Sequence, residues 1–305
     1  MDALTAPQNK VLPDSNGRIV WGNGIVTLVF AVNENKPVTM IGMSGRGMPQ
    51  VDANIAGEPD AQPIVELRSS LDGGGDNRLK LAVSAAGLKL RFVCAYMLDM
   101  LDDKRRPMTL LAIVQRDAKG EGPLVTSVFE SDAGTSAVRT YTRLKSDEPY
   151  PVEAVSSMNA TLPMEAAKFS TSEAQIYWGE SSWDLENAWQ SAPLRATTLH
   201  DRNQKINPGM SSARLARRST STWSTGEFEP IGIVESGGRS GELGEFSFAW
   251  QIEHNGAWEW EIGEDDPGLR VSAYGPEYDD HQWFTMLGSS DAFCSVPVSF
   301  VICAG

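Results

Sequence analysis

The sequence is poor in the residues that cross-linking and most catalysis require. It holds three cysteines, Cys94, Cys294 and Cys303, in 305 residues. An odd number cannot close into disulfides completely, and the spacing matches no zinc pattern. Each cysteine lies in an apolar, strand-like context, which predicts buried, unreactive thiols. The three histidines, His200, His254 and His281, have no nucleophile partner in a recognisable motif. Positive charge is scarce. Lys and Arg number 26 against 40 Asp and Glu, a net charge of -14. Nucleic acids and anionic membranes are thereby excluded as expected partners, because both need basic side chains to neutralise phosphates. No apolar run reaches the roughly 18 residues of a membrane span, and no charged-then-apolar leader opens the chain. A cytoplasmic location is the expectation. Long amphipathic helices are also missing, so the eight helices of a catalytic β/α barrel are not expected in these residues. The segment Gly42-Met43-Ser44-Gly45-Arg46-Gly47 is glycine-rich, but no helix follows it, and it does not read as a phosphate loop.

What remains is mostly strand. Hydrophobic residues make up 41% of the chain, enough for a real core. Alternating patterns bounded by turn formers predict strands at Arg18–Trp21, Gly24–Ala31, Pro37–Ile41, Ile64–Arg68, Lys80–Val83, Leu88–Tyr96, Met108–Gln115, Leu124–Glu130 and Val138–Lys145. Further strands are predicted at Phe228–Glu235, Phe246–His254, Ala257–Ile262, Leu269–Ala273 and Val296–Ile302. Gly73-Gly74-Gly75-Asp76-Asn77 reads as a loop tip. Short helices are predicted at Pro163–Phe169 and at Ser182–Trp189, the latter with Ser182 as N-cap. Many short strands at this spacing argue for an all-β sandwich.

Eight of the nine tryptophans follow residue 177, so the candidate binding residues concentrate there. Phe246–Gly263 reads as an antiparallel hairpin around the Asn255-Gly256 turn signal. Its second strand sets Trp258, Trp260 and Ile262 on one face and Ala257, Glu259 and Glu261 on the other. The aromatic face is expected in the core, with a platform against a sugar or a neighbouring domain as the alternative. Arg217-Arg218-Ser219-Thr220-Ser221-Thr222-Trp223 offers planar donors and hydroxyls to a polar ligand or a neighbouring domain. Tyr177–Trp183 holds indoles beside one carboxylate, Glu180, too few for glycoside hydrolysis, which needs two. Glu277–His281 reads as a solvated acidic turn without the ligand spacing of a calcium loop. Asn159-Ala160-Thr161 is a formal glycosylation sequon without further support.

Four segments in order resemble one family: Gln175–Trp183, Arg217–Ser221 leading into Phe228–Val234, Phe246–Ile262, and Trp283–Ile302. They look like the N-terminal β-supersandwich domain of retaining α-galactosidases of glycoside hydrolase family 36. Two places depart from the family pattern, at Trp250-Gln251-Ile252-Glu253-His254-Asn255-Gly256 and at Ile302-Cys303-Ala304-Gly305. The resemblance implies a large antiparallel β-supersandwich with a few short helices over residues 15–305, after a disordered tail at 1–14. It implies an accessory domain that packs on a β/α barrel downstream in the same polypeptide. The domain would help to wall a site for α-galactoside sugars and take part in homo-oligomer contacts. Both catalytic aspartates would fall after Gly305, so no catalytic residue, metal or cofactor is expected here, and the chain alone is expected to be inactive. The apolar final strand, closed by Gly305, fits a domain cut from something longer. Trp183, Arg218 and Trp223 are the expected barrel-facing or sugar-facing residues. The alternative is a free-standing carbohydrate-binding β-sandwich. A mutarotase-type site would need His254 to face a carboxylate; Glu253 and Glu261 are the local candidates, and Glu253, as its neighbour, points to the opposite side of a strand.

Overall fold

Among the described residues, alternation of apolar and polar side chains builds twenty-one strands and few helical turns. The computed structural model describes residues 7–51, 61–72, 81–163, 174–197, 199, 214–220, 227–236, 246–265, 268–289 and 292–305. In chain order the strands are β1 (Lys10–Val11), β2 (Arg18–Gly22), β3 (Thr27–Asn33), β4 (Lys36–Ser44), β5 (Leu67–Arg68), β6 (Leu90–Leu101), β7 (Pro107–Asp117), β8 (Leu124–Asp132), β9 (Ala137–Lys145) and β10 (Tyr150–Val152). They continue as β11 (Ala154–Pro163), β12 (Gln175–Ser182), β13 (Leu185–Pro193), β14 (Arg214–Ser219), β15 (Phe228–Glu235), β16 (Phe246–Ile252), β17 (Trp258–Asp265), β18 (Gly268–Tyr274), β19 (Thr285–Leu287), β20 (Ala292–Cys294) and β21 (Val298–Ala304). Two short helices, α1 (Ala85–Lys89) and α2 (Tyr278–His281), interrupt them. Regular structure begins at Pro7, within the stretch expected to be a tail.

One large sheet of 11 strands runs β1-β6-β7-β8-β9-β21-β16-β15-β12-β13, with β20 beside β9. Two smaller sheets, β2-β3-β4 and β14-β17-β18-β11-β5, face it. One apolar core joins all three: Trp21 and Phe30 from the first small sheet, Met158, Trp258 and Trp260 from the second, and Leu111, Phe129 and Trp250 from the large one. Ring pairs close the gap between layers. Phe30 and Phe129 lie 5.0 Å apart. Trp250 meets Trp260 edge-on at 5.2 Å, the geometry favoured by aromatic quadrupoles. The architecture is the all-β supersandwich that the sequence implies.

The connections correct several local readings. β16 and β17 are not a hairpin. β16 pairs with β15 and β21 in the large sheet, whereas β17 pairs with β14 and β18 in the small one. The Asn255-Gly256 turn therefore carries the chain across the sandwich. Both flanking strands own an aromatic face, and placing them in opposite layers buries both faces at once.

Ser182–Trp189 is not a helix. β12 and β13 form a hairpin in which Ser182 pairs with Leu185, and Asp184 takes the left-handed φ of 62° at its tip. Pairing along the sheet edge here outweighs the N-cap signal of Ser182. Leu81–Val83 is not strand, and only Leu67–Arg68 of the Ile64–Arg68 stretch is. Pro163 closes β11, and residues 164–173 lie outside the described residues, as does the glycine tip at 73–77. The cysteines are also less hidden than their contexts predict. Cys294 is exposed, while Cys94 and Cys303 are half-buried. Asn159 of the sequon is buried on β11, where its Nδ2 donates to the Pro63 carbonyl.

Candidate functional site

The small sheet β14-β17-β18-β11-β5 turns Trp258, Trp260 and Ile262 inward, and all three are fully buried. That removes them as a sugar platform. Its other face is the unexpected one. Glu259 is 1% exposed, and Glu261 and Arg270 are 0% exposed. Cross-strand register explains the grouping: Ala216, Glu261 and Ser272 stand in one row, and Arg218, Glu259 and Tyr274 in the next. Arg214 donates to Glu259 Oε1 at 2.8 Å and to Glu261 Oε2 at 3.0 Å. Arg270 lies 2.7 Å from Glu261 Oε1 as an ion pair, and it donates to Ser272 Oγ at 2.6 Å. Gly263 makes room for this guanidinium, since a Cβ there would sit 2.7 Å from Arg270 Nη2. Buried charges survive only when paired in this way.

At one end of that face, α2 brings more acid. Glu277 caps α2, accepting from the Asp279 and Asp280 amides. His281 places Nε2 3.0 Å from the Ser219 carbonyl. Glu277–His281 is thus a capped helix with Glu277 buried, and the solvated-turn reading is corrected. Glu259, Glu277 and Asp280 bring carboxylate oxygens within 4.8 Å of one another, close enough to suggest a cation. Each already has an arginine: Arg214 at 2.8 Å from Glu259, Arg68 at 3.6 Å from Glu277 and Arg218 at 2.9 Å from Asp280. Three guanidinia supply the charge that a metal would, so the cluster reads as an ionic clasp between sheet and helix.

Protonation follows burial and neighbours. Burial pushes Glu259 up to about 8, with Arg214 opposing and Glu261 and Asp280 adding to the shift. Burial also works to raise Glu277, but the His281 hydrogen bond, the α2 amides and Arg68 together hold it below the usual carboxylate range. Arg214 is held strongly protonated because Glu259 and Glu261 outweigh its desolvation.

A second feature lies where β12 and β13 meet β14. Trp178, Ala192, Thr197 and Arg214–Arg217 line a cleft of about 670 Å³. The Arg217 guanidinium stacks 4.6 Å from the Trp178 ring and 4.8 Å from Phe228. Burial lowers its pKa, against the attraction of Glu180. Beyond the cleft, the β12–β13 hairpin exposes Trp183 at 82% and Leu185 at 66%.

The expected site residues are therefore dispersed. Trp183 stands at the hairpin tip, Arg218 on β14 is tied to Asp280, and Trp223 lies outside the described residues. Sequence reasoning did not single out Glu66, Arg214, Arg270 or the Arg217–Trp178 stack. The Glu259/Glu261 alternation was visible, but its basic partners sit on other strands and become legible only once the pairing is known.

Nothing among family profiles or curated proteins matches this chain. Solved structures do. The α-galactosidase from Lactobacillus brevis matches with a TM-score of 0.68 at 13% identity, over 96% of this chain and 40% of that one. The GH36 α-galactosidase AgaB from Geobacillus stearothermophilus matches with a TM-score of 0.68 at 12% identity, again over 96% and 40%. The fold is that of the N-terminal domain of GH36 α-galactosidases. The chain spans about 40% of the length of these structures. The Slr1438 protein from Synechocystis sp. PCC 6803 matches with a TM-score of 0.50 at 10% identity, over 97% of this chain and 98% of that one. No helix among the described residues is long and apolar enough to cross a membrane.

Proposed function

We propose that this chain is the non-catalytic β-supersandwich of a retaining α-galactosidase, packing on a β/α barrel within a longer polypeptide. The observation that carries the reading is the coverage: 96% of this chain against 40% of the α-galactosidase structures. In this reading the exposed Trp183–Leu185 hairpin, the Trp178–Arg217 cleft, Arg218 and Trp223 face the barrel or its sugar, and the domain contributes to oligomer contacts. Apolar side chains this exposed are most useful when another surface covers them. The fully paired Glu259–Glu277–Asp280 cluster acts as structure. Turnover of a chromogenic α-galactoside tests the reading. Residues 1–305 alone should give none, and the same chain extended by its downstream barrel should hydrolyse it. Robust hydrolysis by the isolated chain refutes the non-catalytic role.

The second reading is a free-standing carbohydrate-binding sandwich. The Slr1438 match favours it, because there the same fold accounts for 98% of the other chain. A native stop codon directly after Gly305, together with galactose binding by calorimetry, selects this reading over the first.

A further inference from the structure

A cavity of about 530 Å³ opens among α1, the β7–β8 turn and the β9–β10 connection. That volume lies within the roughly 300–1,000 Å³ of small-ligand sites. The floor is apolar, made by the buried Leu67, Ala86 and Leu90, and Leu71, which also lines the cavity, is 67% exposed. The walls are acidic. Asp72, Asp117, Glu121, Asp147 and Glu148 share them with two cations, Lys89 and Arg116. Lys89 is already engaged: its Nζ lies 2.5 Å from Asp72 Oδ1, and Tyr150 donates to Asp72 Oδ2 at 2.5 Å. Asp117, Glu121, Asp147 and Glu148 then stand against Arg116 alone. Glu121, Asp147 and Glu148 are exposed, and none of the three forms an ion pair among the described residues.

Charge and shape together narrow the ligand. An excess of carboxylates repels anions. A compact metal ion needs oxygens that converge, and among the described residues the acidic group close enough to share one ion is the Glu259 cluster, which does not line this cavity. Carboxylates spaced around an apolar floor suit positive charges spaced along a methylene chain, whose stem covers the leucines while its ammonium groups make charge-assisted hydrogen bonds to the acids. The protein holds one such group here itself. Lys89 is an alkylammonium, and the Asp72 hydrogen bond leads in raising its pKa, with attraction from Asp117 and Glu121 added. The acids of the β7–β8 turn thus act on an amine inside this cavity. We propose that the cavity binds an aliphatic polyamine. The inference stands on the cavity alone and draws nothing from the α-galactosidase reading.

The 305-residue chain would be titrated by calorimetry with spermidine at about 0.15 M ionic strength, where a Debye length of about 8 Å screens the general attraction of an acidic protein for cations. Spermidine should bind at one site in the millimolar range or tighter. The double variant Glu121→Gln/Asp147→Asn neutralises two exposed carboxylates of the cavity. It should melt as the parent does and bind spermidine about tenfold more weakly. Glu34→Gln/Asp103→Asn removes the same charge from exposed positions that do not line the cavity, and it should bind within about twofold of the parent. Glu148→Gln alone should weaken binding about threefold, and it serves if the first pair fails to fold. No heat from spermidine at tens of millimolar overturns the proposal. Equal losses in the two double variants also overturn it, by reducing the effect to net charge. So does full competition by millimolar magnesium, which would make the acids a metal site.

Discussion

Raising the pH from about 5 to just above neutral should weaken the fold through Glu66. This carboxyl is 0% exposed. It accepts from the Val83 amide at 3.0 Å, the Ser84 amide at 2.9 Å and the Ser84 hydroxyl. Burial still dominates, pushing its pKa from 4.5 to about 7 against those donors and the charge of Arg270. A carboxyl that holds its proton more tightly when folded contributes most stability below its unfolded pKa. That contribution drains away as pH rises toward the folded value and is flat above it. At about 1.4 kcal/mol per pH unit, the full window is worth about 3 kcal/mol, most of which falls between pH 5 and pH 8.5. Urea unfolding of the parent and of Glu66→Gln at both pH values would read it. The offset at pH 5 does not matter, since the amide also loses a hydrogen-bond acceptor. What matters is that the parent should lose about 2–3 kcal/mol more than the variant on going to pH 8.5. Parallel stability profiles would refute the assignment of a neutral, buried Glu66 below pH 7.

Other perturbations address packing and exposure. Gly232→Ala would put a Cβ 2.2 Å from Trp250 Cζ2, and it should cost about 1–3 kcal/mol in chemical denaturation by overpacking. Trp260→Ala empties a fully buried site and should cost about 3–5 kcal/mol, read as a lower urea midpoint at unchanged slope. Trp183→Ala changes an 82% exposed side chain. It should leave the isolated chain within about 0.5 kcal/mol of the parent, yet loosen docking in a barrel-extended protein, measured by limited proteolysis.

The sequence carried layers better than connections. Trp258, Trp260 and Ile262 were legible as one inward face because strand periodicity is local. The destination of that strand was not. Asn255-Gly256 is the strongest short hairpin signal, but pairing is decided by which layer can bury each face, and β16 and β17 each had a better neighbour. Ser182–Trp189 misled for a related reason: eight residues without Pro or a β-branched run suit a helix locally, and only the open edge of β12 turns them into a strand. Trp183 and Arg218 were visible as unusual residues, and their positions followed from tertiary pairing. The ionic face was half-legible, because Glu259 and Glu261 alternate in sequence while Arg214 and Arg270 come from neighbouring strands.

The crossing from β16 to β17 gives the domain a built-in optical gauge. Trp250 and Trp260 approach to 5.2 Å with planes 79° apart, near enough for their indole transitions to couple and split the ultraviolet circular dichroism band. One indole belongs to each layer, so the split band exists only while the two sheets are pressed together. Its disappearance on heating, compared with the loss of strand signal, would tell whether the layers part before they unravel.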